Sequence, residues 1–224
     1  MKAAILITTI ALFSQTAHAN DIPAIDSASN AMNLTALQGL SQQTQGYENA
    51  YTNYRLAITA NILGQQPLAK SALSEAQLTL EELSEEAETL ALLASVYGMQ
   101  IGIDNSRGAS LGPKLSQALT QAEALSPDNP RVALVKALSA FNTPVTFGGS
   151  MKKAIDLSSK AIALYSEPCN EVCWGHAEAY TWRGLAKQNS GDTQGALADW
   201  QSAIEIQPDY SWANFLLKQN NLTH

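Results

Sequence analysis

The chain has 224 residues, 46% of them hydrophobic, and a formal net charge of −7 at neutral pH. This length allows one domain with a real core or a short solenoid, and the Ala- and Leu-rich composition with few Phe favours an all-α protein. The acidic balance argues against sequence-independent binding to nucleic acid, which requires a basic face.

The first 19 residues have the pattern of a secretory signal peptide. Lys2 precedes an apolar run from Ala3 to Phe13, and Ala17-His18-Ala19 forms an A-x-A cleavage site. The run is shorter than the roughly 20 residues that span a bilayer, and no later stretch is apolar enough for membrane insertion. A buried first helix is the alternative interpretation. We expect cleavage after Ala19 and export, most simply to a bacterial periplasm.

Residues 20–45 are predicted to hold a flexible lead-in from Asn20 to Asn30 and then an N-terminal helix. The apolar residues of that helix are Met32, Leu34, Leu37 and Leu40. Residues 46–224 are predicted to form the main domain, in which helical spacing of apolar residues indicates four helix pairs. The pairs span residues 50–83, 85–125, 130–165 and 177–210, with insertions at 104–113 and 143–149, and a short helix at Trp212, Phe215 and Leu216 closes the domain.

Small residues recur at matching offsets in the first and last pairs. Ala57, Gly64, Ala69 and Ala76 have the same mutual spacing as Gly184, Gly191, Ala196 and Ala203. Two helices approach closely only where their side chains are small, so this coincidence indicates two copies of one helix–turn–helix unit.

The segment 177–210 resembles one tetratricopeptide (TPR) repeat, a unit of roughly 34 residues. The resemblance rests on Tyr180, Gly184, Gly191-Asp192, Ala196, Trp200, Ala203 and Pro208. The segment departs from the family at Arg183, where the family prefers Leu, and at Lys187, where it prefers Tyr. The NPR, PxxFGG, WGHAEAY and PDYSWA segments are also similar to a group of exported bacterial TPR proteins. The resemblance implies an all-α solenoid of TPR-like helix pairs, with an N-terminal helix and a C-terminal capping helix.

TPR proteins typically bind peptides in the concave groove that their first helices line. The resemblance therefore implies a binding face on these helices, without the basic clamp that some TPR domains use for a C-terminal carboxylate. Its expected residues are Tyr51, Tyr54, Ile58, Asn61, Glu88, Arg131, Asn142, Thr181 and Gln188.

Cys169 and Cys173 are the only cysteines of the chain. In an exported protein two close cysteines most often form a disulfide, which is what we expect here. The two cysteines do not have the C-x-x-C spacing of a redox-active pair, and a zinc site that they formed with His176 would have only three ligands nearby. No metal or other cofactor is expected.

Two further features allow more than one interpretation. Phe147-Gly148-Gly149-Ser150 could bind an anion beside Lys152 and Lys153, but a sharp turn that places Phe147 in the core is favoured. All four Trp lie between Trp174 and Trp212. We expect Trp182 and Trp200 inside and the other two partly exposed.

The sequence thus favours a non-catalytic periplasmic protein that binds a protein or peptide partner on its concave face. A small-molecule-binding accessory of a transport system, with a pocket under the PxxFGG loop, is the alternative. An enzyme is disfavoured because no nucleophile with a base, paired carboxylates or ligand cluster is recognisable.

Overall fold

The structure is a computed structural model that describes residues 21–169 and 172–221. The predicted signal peptide and its cleavage site lie outside these residues. The described chain contains eleven α-helices and no β-strand, which confirms the all-α prediction. The helices are α1 Ile22–Asn30, α2 Leu34–Gln43, α3 Gly46–Ile62, α4 Gln66–Glu82, α5 Ala87–Ile103, α6 Gly108–Leu125, α7 Pro130–Asn142, α8 Met151–Leu164, α9 His176–Asn189, α10 Thr193–Ile206 and α11 Ser211–Asn221.

The helices pack in hairpins, α3 with α4, α5 with α6, α7 with α8 and α9 with α10, and successive hairpins stack in chain order. Each second helix contributes a fully buried alanine at a matching position of the packing seam. These residues are Ala76, Ala122, Ala161 and Ala203. In the last hairpin Gly184 lies against the Trp200 indole, so that a Cβ there would fall 2.5 Å from Nε1. The small-residue series therefore marks the lines of closest helix contact.

The two departures of the last hairpin from the TPR pattern have a shared structural cause. Arg183 donates to both carboxylate oxygens of Asp199, at 2.9 and 2.6 Å, and the Lys187 ammonium lies 2.9 Å from Oδ2 of the same residue. Asp199 is buried in α10, and a buried carboxylate is costly unless it is paired. An ion pair between α9 and α10 thus replaces the apolar and aromatic contacts of the usual repeat.

The structure corrects the predicted flexible lead-in, because residues 22–30 form the helix α1. Ile22 and Ile25 are buried, and Pro23 occupies the first turn, where a missing N–H costs nothing. Contacts of α1 with α3 advance in the same direction along both helices, from Asp21 N–H on Glu48 to Ser29 with Thr59. Helix α1 is therefore parallel to α3 and forms, with α2, a short additional hairpin at the N-terminal end.

The predicted insertion at 104–113 is also shorter than expected. Helix α6 begins at Gly108, after a 3-10 turn at Asn105–Arg107, so Pro113 lies inside the helix rather than at its start. The residue before a proline is normally driven out of helical geometry by a clash that involves its Cβ. That residue is Gly112, which has no Cβ, so the helix continues through the proline.

The loop at 143–149 keeps its predicted place but not its predicted packing. Val145–Phe147 forms a 3-10 turn, and Gly148 has a left-handed φ of 95°. The Phe147 side chain is 82% exposed, so the prediction that it enters the core is wrong. Gly149 approaches Thr143 so closely that a Cβ would lie 1.7 Å from its carbonyl oxygen. Only glycine therefore fits at position 149.

Candidate functional site

The first helices of the hairpins, α3, α5, α7 and α9, carry the predicted binding face. The structure places its nine residues at very different depths. Tyr51, Tyr54, Arg131 and Thr181 are buried, Ile58, Asn61, Glu88 and Gln188 are half-buried, and Asn142 is exposed. Ile58, Asn61, Asn142 and Gln188 lie toward the C-terminal ends of their helices, whereas the half-buried Glu88 is in the first turn of α5. The N-terminal half of the face is filled by the protein itself.

A buried ion cluster occupies the filled part. Arg55 of α3 lies 3.4 Å from the Asp26 carboxylate of α1 and 3.8 Å from the Glu178 carboxylate of α9, and the Tyr51 hydroxyl donates to Asp26 at 2.6 Å. Burial raises the pKa of Asp26 and of Glu178, and the Arg55 charge opposes that rise. The cluster joins α1 and α3 to α9, so the first and last hairpins of the solenoid close onto each other.

A second buried pair lies between α5 and α7. Arg131 donates through Nε and Nη2 to the Glu88 carboxylate, and Asn129 Nδ2 donates to the same carboxylate at 2.6 Å. Asn129 also caps α7, because its Oδ1 accepts from the backbone N–H groups of Arg131 and Val132. Two residues of the predicted face are thus bound to each other, which leaves neither free as an isolated charge for a ligand.

The loop before α9 places Trp174 in the same interior. Its indole stacks on Tyr51 with ring centroids 5.3 Å apart and donates to the Tyr47 hydroxyl at 2.9 Å, while its carbonyl accepts from Tyr165 at 2.8 Å. The prediction that Trp174 is partly exposed is therefore wrong, because its ring packs on α3 and its backbone carbonyl binds Tyr165 at the end of α8. Immediately before it, Cys169 and Cys173 are joined by a disulfide, as predicted.

Three aromatic side chains stay partly accessible on α7, α9 and α11. Trp182 of α9 makes edge-to-face contacts with Phe141 of α7 at 5.0 Å and with Trp212 of α11 at 4.9 Å, and all three are half-buried. The Trp182 indole N–H donates to Glu178 at 3.3 Å, which connects the aromatic row to the ion cluster. We call Phe141, Trp182 and Trp212 the aromatic row.

The sequence analysis missed several residues that organise this region, notably Asp26, Arg55, Tyr47 and Tyr210. Burial raises the pKa of the Tyr210 hydroxyl well above its ordinary range, and its environment includes the charges of Glu178 and Arg55. One signal was present in α3, where polar residues recur on every face of a helix that also carries apolar ones. Such a helix is surrounded on all sides and must pair its buried charges.

Other parts of the described chain offer no stronger site. An open cleft of about 240 Å³ lies between α4, α5 and the 3-10 turn before α6, and another of about 230 Å³ lies between α4, α5 and α6. Neither is lined by the loop at 143–149. Within residues 21–169 and 172–221 no three His, Cys, Asp or Glu side chains are grouped to hold a metal ion. Among the helices described, none is long and apolar enough to cross a membrane.

The fold defines a TPR-like helical repeat protein, and solved structures agree. The thermophilic TPR protein TTC0263 from Thermus thermophilus matches with a TM-score of 0.54 at 22% identity, over 84% of this chain and 89% of that one. The HusA haemophore from Porphyromonas gingivalis matches with a TM-score of 0.51 at 22% identity, over 75% and 89%. No protein-family model matches the chain, and no curated protein matches it in sequence.

Proposed function

We propose that the chain is a non-catalytic, exported interaction protein that binds a peptide or protein segment along the open half of its concave face. The observation that carries this proposal is the aromatic row, whose three half-buried side chains come from the alternate helices α7, α9 and α11. Aromatic side chains are enriched at protein interfaces because they bury a large area at low conformational cost. The exposed and half-buried amides Asn61, Asn142 and Gln188 border the same side and supply hydrogen bonds to a peptide backbone.

The buried members of the predicted face have a different role in this proposal. Tyr51, Tyr54, Arg131 and Thr181 hold the hairpins in place, and the half-buried Glu88 belongs to the same framework through its pair with Arg131. A bound segment would contact Ile58, Asn142 and Gln188 instead. The bacterial periplasm is the proposed compartment, supported by the disulfide and by the signal-peptide pattern of residues 1–19.

Site-specific photocrosslinking in the exporting bacterium tests this function. Benzoylphenylalanine at Gln188 should form an adduct with one protein, and Trp212→Ala in the same chain should abolish the adduct. The same probe at Leu125, which is 58% exposed on α6, provides the control position away from the concave side. Equal adducts from both positions, or an adduct that survives Trp212→Ala, would place the binding site elsewhere.

Small-molecule binding is the second candidate, since a haemophore shares the fold. Half-buried His176 lies between Tyr165 and Tyr180, with ring centroids 5.1 and 5.7 Å away, and offers an imidazole in an aromatic setting. Titration of the purified protein with haem distinguishes the two candidates. A saturable absorbance change that His176→Phe removes would favour the small-molecule role, and no change would remove haem as the ligand.

A further inference from the structure

The turn from Thr143 to Gly149, here called the Phe147 turn, displays the most exposed large apolar side chains of the described chain. Val145 and Phe147 are each 82% exposed, whereas the next most exposed, Ile62, reaches 59%. Val145 and Phe147 lie in one turn and together form an exposed apolar patch, and such patches with polar residues at their edge mark interaction sites. The proposed binding on the concave face does not explain the exposure of these two side chains.

The backbone of the Phe147 turn is firmly held. Phe147 N–H donates to the Pro144 carbonyl at 2.8 Å, Gly148 N–H to Val145 at 3.0 Å, and Gly149 N–H again to Pro144 at 3.2 Å. Ser150 then caps α8 with its side chain, while its N–H donates to the Ala140 carbonyl of α7 at 2.8 Å. A segment fixed at both ends loses little conformational entropy when it binds, so the exposed side chains are presented in a preorganised form.

Positive charge lies beside the apolar side chains in an otherwise acidic protein. Lys152 and Lys153 are in the first turn of α8, whose N-terminus adds the positive end of a helix dipole. Lys152 pairs with Asp156 at 2.6 Å, and Lys153 has no ion pair in the part of the chain that the structure describes. The surface that covers Phe147 should therefore carry negative charge at its edge.

We propose that the Phe147 turn is a second docking element, which inserts Phe147 into an apolar pocket of a partner protein whose rim is acidic. An anionic membrane fits less well, because lipid recognition of this kind uses clusters of roughly four to eight basic residues and the turn offers one unpaired lysine. The docking element begins directly after Asn142 but includes none of the residues of the predicted binding face, so it stands whether or not the proposed groove function holds.

Photocrosslinking with the full chain in the exporting bacterium provides the test. Benzoylphenylalanine at Phe147 should capture one protein, while the same probe at Leu125 should not. Capture alone is insufficient, so Lys153→Glu is added to the Phe147 probe and should reduce the adduct by about tenfold or more, while Lys153→Arg retains it. Lys218→Glu, on α11, controls for the loss of a positive charge elsewhere.

Binding of the captured partner to purified protein completes the test. Phe147→Ser should weaken binding by about tenfold or more without a change in melting temperature, because the exposed ring supports no core contact. The cross-linked peptide should border Asp or Glu residues of the partner. An adduct with lipid, an adduct with a second copy of the chain, no adduct, or insensitivity to Lys153→Glu would each overturn the proposal.

Discussion

At the scale of single residues, close helix contact depends on where the helices carry glycine, which has no side chain. Gly184 lies against Trp200 with a hypothetical Cβ only 2.5 Å from Nε1 and 3.1 Å from the Ala196 carbonyl. Gly102, in α5, has open space around its missing Cβ. The two glycines therefore have opposite relations to their surroundings, although both lie in helices.

Gly184→Ala should destabilise the protein by about 1–3 kcal/mol, because the added methyl group forces the Trp200 indole out of its position. Gly102→Ala should be neutral or stabilising by up to about 1 kcal/mol, since alanine reduces the entropy of the unfolded chain. Urea denaturation of both variants measures the difference. Equal midpoints for the two would contradict the assigned contact between α9 and α10.

The buried carboxyl groups give stability a specific pH dependence. Burial raises the pKa of Asp26 and Glu178 in the folded state, so the folded protein holds these protons more tightly than the unfolded chain. This tighter proton binding stabilises the folded state. The stabilisation is fully present below the ordinary pKa values of 3.8 for Asp26 and 4.5 for Glu178, and it is lost as pH rises through the raised pKa values of the folded protein. As pH increases over this range, the Asp26→Asn/Glu178→Gln double variant should therefore lose less stability than the wild type does.

Urea midpoints measured at a series of pH values from about 4 to 8 check this expectation. Asp156→Asn is the matched control, because its carboxylate is on the surface and 61% exposed. An identical pH profile for the double variant and the wild type would show that these two carboxyl groups do not titrate differently on folding.

At the scale of elements, the disulfide fixes the segment that leads into α9. The bridge precedes Trp174, which packs on Tyr51, and Gly175, whose φ of 99° starts the turn into the helix. A loop of five residues gains about 2 kcal/mol from closure in the chain-entropy model. The bridge also restricts the conformations that the segment just before Trp174 can adopt in the unfolded chain.

Cys169→Ser/Cys173→Ser should lower the melting temperature by several degrees and leave the helical content intact. Circular dichroism measures both quantities, and reduction of the wild type with dithiothreitol should give the same shift. Two free thiols in protein purified from the periplasm, detected by intact mass, would exclude the bridge in the native protein.

Much of the element order could be predicted from the sequence, because helices that pack closely need small residues at regular spacing. The small residues at 57, 69, 76, 184, 196 and 203 mark the hairpins wherever the loops are short. Helix α1 was missed because Ile22 and Ile25 are its only large apolar residues, and its stability comes from contacts with α3. The depth of the concave face could not be predicted, since it depends on Arg55 meeting Glu178 more than 120 residues away.

At the scale of the whole molecule, the ion cluster changes how the repeats depend on one another. In an open solenoid each repeat contacts only its neighbours, and stability is nearly a sum of local terms. Here Arg55 of α3 lies within 3.8 Å of Glu178 of α9. The negative charge of Asp209, just before α11, also acts electrostatically on Asp26 of α1. The two ends of the chain are therefore coupled directly.

Glu178→Gln should lower amide hydrogen-exchange protection in α1 and α3 as well as in α9, because it removes one partner of the buried Arg55 charge. Asp192→Ala, at the N-cap of α10 in the same hairpin, should affect α10 alone, since Asp192 only caps that helix. Hydrogen-exchange mass spectrometry resolves these segments. Protection losses confined to α9 in the Glu178→Gln variant would show that the hairpins behave independently.

Closure also restricts how this protein can have changed in length. An open array grows when one repeat is duplicated, because each new unit meets surfaces identical to those it separates. In this chain an extra hairpin between α3 and α9 would carry Glu178 away from Arg55 and break up the buried group of Asp26, Arg55 and Glu178. The number of hairpins is therefore set by a charge pairing, and relatives with more or fewer repeats should lack an arginine at the position of Arg55.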